Sequence, residues 1–124
     1  MSSRQSIEID GLSHLTAIPV ATRIGPLLVS SIIASFAPGT RTVPDSLQDQ
    51  YANIFIHVGK MLEAAGGDWS HVAKMEFWTP TADRDALDPL WIEHFPDPAS
   101  RPSRHTHVGE GGPARATFIA YIED

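Results

Sequence analysis

The chain has 124 residues, which allows one domain with a hydrophobic core and is too short for two, so a single domain over residues 1–124 is expected. Its 42% hydrophobic and 19% charged residues exclude a disordered chain, its lack of cysteine excludes disulfides and thiolate chemistry, and its net charge of −6 argues against a nucleic-acid partner. Neither the N-terminal MSSRQSIEIDG nor any later stretch has the apolar run of a leader or a membrane span, so no membrane partner and a cytoplasmic protein are the expectation.

Ser6–Asp10 alternates apolar and polar residues and reads as a short strand that stops at Gly11. Ala17–Ile24 and Leu27–Ala34 are apolar stretches joined by Gly25-Pro26, the pattern of a hairpin. Residues 35–44 are rich in Pro, Gly and Thr and form a loop. Leu47, Tyr51, Ile54, Phe55, Val58, Met61, Leu62 and Ala65 then recur at helical spacing, with Asp45 or Ser46 to cap the start and Gly66-Gly67 to end it. His71–Thr79 predicts a strand halted by Pro80, and Arg84–Phe95 a shorter helix with Pro89 inside it. A proline-rich loop leads to two last strands, Arg104–Gly109 and Ala114–Ile122, around a Gly111-Gly112-Pro113 turn.

Strands divided by helices in this order favour an α+β fold: one mixed sheet with two helices packed on one face. In the last strand Phe118, Ala120 and Ile122 alternate with Thr117, Ile119 and Tyr121, so both of its faces are largely apolar. A sheet face left without helices must then be covered by another subunit, and an oligomer is expected.

Three stretches resemble the RidA/YjgF family of enamine/imine deaminases. IPVATRIGPLLVSS (18–31) resembles their hairpin; YANIFIHVGKMLEAAGGDWSHVAKMEFWT (51–79) resembles their long helix with its LEAAG end and the strand after it; and RPSR (101–104), followed by Pro113, resembles their arginine strand. The resemblance implies a chorismate-mutase-like fold, a homotrimer with clefts between subunits, no cofactor and no metal. It implies hydrolysis of a carboxylate-bearing enamine or imine, with Arg104 gripping the carboxylate; a guanidinium fork suits that task because it binds a carboxylate bidentately and stays charged. The chain also departs from the family. The glutamate that handles water, fifteen residues after the arginine, is here Ile119; the hairpin tyrosine is Ile18; the Ser-Gly-Gln turn is Ser31, Ile32 and Ile33; the helix asparagine is His57; and a frequent asparagine of the second helix is Asp88. Altered chemistry on a more apolar small molecule is therefore expected, with a non-catalytic metabolite-binding trimer as the alternative.

Period two puts Thr106 on the strand face of Arg104, so Arg104, Thr106, Ser31, Ile32, Ile18 and Ile119 make up the expected substrate site. His105, His107 and Glu110 are the candidates to activate water in place of the missing glutamate. Each has a plain structural alternative: Arg104 an interface ion pair, Thr106 a strand former, Glu110 a solvated loop acid. The histidines alternate on the face opposite Arg104, as metal ligands do, yet no carboxylate-histidine cluster accompanies them in the sequence, and no metal is expected. Trp78 and Trp91 are expected in the core or an interface.

Overall fold

The structure is a computed structural model that describes residues 3–109 and 111–123. Its strands are β1 (Arg4–Ile7), β2 (Ala21–Ile24), β3 (Leu27–Ser30), β4 (Ile33–Ala34), β5 (Val72–Thr79), β6 (Ser103–Val108) and β7 (Arg115–Tyr121); its helices are α1 (Leu47–Ala64) and α2 (Arg84–His94). One mixed sheet runs in the order β1-β2-β3-β7-β5-β6, with β4 also paired to β7. All pairs are antiparallel except β5 with β6, whose parallel pairing is made possible by α2 crossing between them.

The apolar stripe of α1 buries Tyr51, Ile54, Phe55, Val58, Met61 and Leu62 on the sheet, against a face built by Met75 and Phe77 of β5 and Ala116, Phe118 and Ala120 of β7. Ser46 caps the helix by accepting the Asp49 N–H at 3.1 Å. The other end closes in a Schellman motif: Gly67 N–H reaches Leu62 O at 2.8 Å and Gly66 N–H reaches Glu63 O at 3.0 Å, with Gly66 left-handed at φ 83°. Helix α2 packs beside α1 through Ala86, Leu87 and Trp91, and Pro89 lies inside it. Both helices thus lie on one face of the sheet. The other face carries no helix and leaves Ile24, Leu27, Ile119 and Tyr121 exposed.

Three sequence expectations shift. The first strand is Arg4–Ile7 rather than Ser6–Asp10, because pairing with β2 ends at Ile7↔Ala21 and the chain turns at Ile9, whose carbonyl takes the N–H groups of Leu12 and Ser13. The second arm of the hairpin is broken. β3 pairs Val29↔Ile119 while β4 pairs Ile33↔Ala116, so four steps on one side face three on the other, and the additional residue makes a bulge. At that break Ser30 Oγ accepts the Phe118 N–H at 2.9 Å. The first arm is also shorter than expected. Pro19 has no N–H to give a ladder, and Ser31 Oγ donates to the Pro19 carbonyl at 2.8 Å instead.

Candidate functional site

Strand β6 ends the sheet, and its alternation sorts its side chains between two environments. Arg104, Thr106 and Val108 pair in register with Met75, Phe77 and Thr79 and share the helix side; His105 and His107 pair with Glu76 and Trp78 and share the open side.

On the helix side, Arg104 is held by two residues of α2. Its Nη2 lies 3.0 Å from Asp88 Oδ1, and its guanidinium carbon sits 5.0 Å from the centre of the Trp91 ring. Asp88 and Trp91 are three residues apart and so present one helix face to the arginine. Beside them opens a cleft of about 290 Å³ lined by Tyr51, Thr79, Leu87, Arg104, Thr106 and the 81–84 turn. The Arg104 side chain keeps 25% of its surface exposed, so a ligand can reach a charge that is partly shielded from water. Burial pushes the Tyr51 hydroxyl above its ordinary pKa, which leaves it a neutral hydrogen-bond donor at the cleft wall. Among the described residues that line the cleft the acid is Asp83, and its Oδ1 already caps α2 by accepting Ala86 N–H at 3.3 Å. The cleft thus presents a planar donor fork, hydroxyl groups and no uncommitted carboxylate.

On the open side, His107 Nε2 and Glu76 Oε2 are 2.6 Å apart. That hydrogen bond holds the Glu76 carboxyl below its ordinary pKa, helped by the charges of Lys74 and the two histidines. Trp78 stacks on the His107 ring at 4.9 Å, and the His105 and His107 rings stack at 4.2 Å.

Of the site residues expected from sequence, Arg104 and Thr106 meet in the cleft. Within one chain His105 and His107 lie across the sheet from it. Ser31 is spent on Pro19; Ile18 is exposed; Ile32 lines an apolar groove with Phe36 and Ala34; and Ile119 is exposed on the open face. Glu110 lies outside the described residues. His57 is buried and bonds the Phe36 carbonyl through Nε2 at 2.7 Å, which makes it a tie between α1 and the loop. Asp88, which stands where the family often has asparagine, lies in mid-helix as the partner of Arg104. Tyr51 and Glu76 were missed as site residues: the packing of α1 on the sheet brings the first to the cleft, and the pairing of β5 with β6 brings the second to His107. The Asp88–Trp91 spacing was the one local signal for the support beneath Arg104.

The fold and the arginine cleft define the class: a single α+β domain with a mixed sheet, helices on one face and an arginine-lined cleft at the sheet edge. No protein-family model matches the sequence, and comparison with curated proteins finds no match. Solved structures do match over nearly the whole chain, and they are RidA/YjgF structures. RidA from the Antarctic bacterium Psychrobacter is 22% identical, with a TM-score of 0.82 and coverage of 95% of this chain and 99% of that one. The Rid-family protein YyfA from Yersinia pestis is 16% identical, with a TM-score of 0.84 and coverage of 97% and 100%. The YjgF gene product of E. coli is 15% identical, with a TM-score of 0.82 and coverage of 94% and 98%. At these identities the likeness establishes the fold.

Proposed function

We propose that this protein is a RidA-type homotrimer that binds a small carboxylate-bearing enamine or imine and hydrolyses it to a 2-keto acid and ammonia. The observation that carries the reading is the Arg104 guanidinium, oriented by Asp88 and Trp91 at the mouth of a cleft with Thr106 and the Tyr51 hydroxyl. A substrate carboxylate binds the fork of Arg104, and the segments 31–33 and 109–112 orient the reacting atoms. Water attacks the imine carbon, and the nitrogen leaves as ammonia after proton transfer. With isoleucine at position 119, the proton acceptor comes from His105 or His107 of a neighbouring copy or from Glu110. Ile18, Ile32 and Ile119 suit a substrate with an apolar side chain. Nothing in this reading calls for a cofactor.

The test is ammonia release from freshly generated 2-aminoacrylate and from longer imino acids, with the wild type against Arg104→Ala. Acceleration by the wild type that the variant loses supports the reading. Equal rates for both, matching the uncatalysed reaction, overturn it. A second reading, a non-catalytic metabolite-binding trimer, is favoured by the same cleft's lack of an uncommitted carboxylate. It is distinguished by a carboxylate ligand that raises the melting temperature in an Arg104-dependent way and is recovered unchanged.

A further inference from the structure

We infer that Glu76, His105 and His107 form a binding site for a divalent transition-metal ion on the open face of the sheet, across it from the Arg104 cleft of the same chain; histidines held this way leave Glu110 as the proton acceptor in the proposed reaction. The sequence shows the two histidines at alternate positions but no acid beside them. The structure supplies it, because parallel pairing sets Glu76 of β5 directly opposite His105 of β6. One donor atom from each of the three residues lies within 4.8 Å of the others.

The spacing is close to what a metal requires. Two ligands at about 2.0–2.2 Å from a tetrahedral ion stand roughly 3.4 Å apart. The Glu76–His107 contact, at 2.6 Å, needs only to open, and the widest separation, up to 4.8 Å, needs only to close. Small side-chain rotations on two rigid, hydrogen-bonded strands achieve both. The donor set decides the class of ion. Two imidazoles and one carboxylate suit Zn²⁺, Ni²⁺ or Cu²⁺, whereas Ca²⁺ and Mg²⁺ need more oxygen ligands.

The surroundings also hold the ligands in place: the His105 and His107 rings stack at 4.2 Å. Trp78 lies parallel to His107, 6° between planes, and restrains its ring. When the ion binds through His107 Nε2, the ring takes the tautomer with its proton on Nδ1, reached by exchange with water, and Nε2 and Glu76 Oε2 turn to the metal. Three protein ligands leave a fourth position for water, the arrangement of an open rather than a closed site.

The experiment titrates chelator-treated full-length protein with Zn²⁺ by calorimetry and with Co²⁺ by visible absorption. The expected result is one ion per chain, a tetrahedral Co²⁺ spectrum, and affinity lower by at least about tenfold in Glu76→Gln, His105→Ala and His107→Ala. His14→Ala, away from the cluster, retains wild-type affinity. The Co²⁺ spectrum of the wild type decides the matter even where a variant fails to fold. An octahedral spectrum like that of the free ion, or binding that survives loss of His105 and of Glu76, overturns the site. The ammonia assay on Arg104→Ala is independent of it, so either proposal can fail alone.

Discussion

At the scale of single residues, His57 shows how burial becomes a pH response. It is 2% exposed, and desolvation pulls its pKa below the ordinary 6.5, an effect that the bond to the Phe36 carbonyl opposes only in part. The folded state therefore holds this imidazole neutral at pH values where the unfolded chain takes up a proton. Its stabilising contribution is complete above 6.5 and is lost as the pH falls from there through the folded value. His57→Gln keeps a donor for Phe36 and removes the titration. Denaturant unfolding at about pH 7.5 and 5.5 is expected to show a smaller loss of stability for the variant than for the wild type. Arg104 stood out in the sequence because its motif is local. The sequence could not identify Asp88 as its partner or Glu76 as the neighbour of His107, since those contacts arise from an α2 packing position and a parallel strand register separated widely along the chain.

At the scale of elements, α1 was the most legible because its stripe, cap and glycine stop agree with one another. Its two glycines carry opposite predictions. Gly59 is mid-helix, and an added Cβ would meet only Trp69 at an ordinary 3.6 Å, so Gly59→Ala is expected to stabilise by about 0.5–1 kcal/mol. Gly66 holds the left-handed cap at φ 83°, so Gly66→Ala is expected to destabilise by about 1–2 kcal/mol. Urea midpoints of the two variants that move in opposite directions confirm the assignment; a shared direction contradicts it. The hairpin was less legible. Its turn was signalled by Gly25-Pro26, but the bulge between β3 and β4 depends on the register that β7 imposes. The first strand failed for the same reason: Ile7 and Ile9 alternate correctly, and partner length rather than pattern ends the pairing.

At the scale of the whole molecule, four exposed apolar residues lie together on the helix-free face, where Tyr121 keeps 52% of its surface, Ile119 and Ile24 40% each, and Leu27 38%. Alternation in the last strand made this face foreseeable, and a partner that buries it would gain the usual hydrophobic stabilisation. Sedimentation equilibrium is expected to give three chains per particle for the wild type and one for Leu27→Asp, with the far-ultraviolet spectrum retained; a wild-type monomer contradicts the homotrimer. Strand β6 adds a constraint of another kind. Arg104 and Thr106 serve the cleft while His105 and His107 face the other way, and the two sets interleave along six residues. Substitution can tune either side without touching the other. Insertion or deletion cannot, because a slip of one residue would turn the arginine out and the histidines in. Change in this lineage of sequences should therefore enter β6 one side chain at a time, with length variation confined to the loops at its ends.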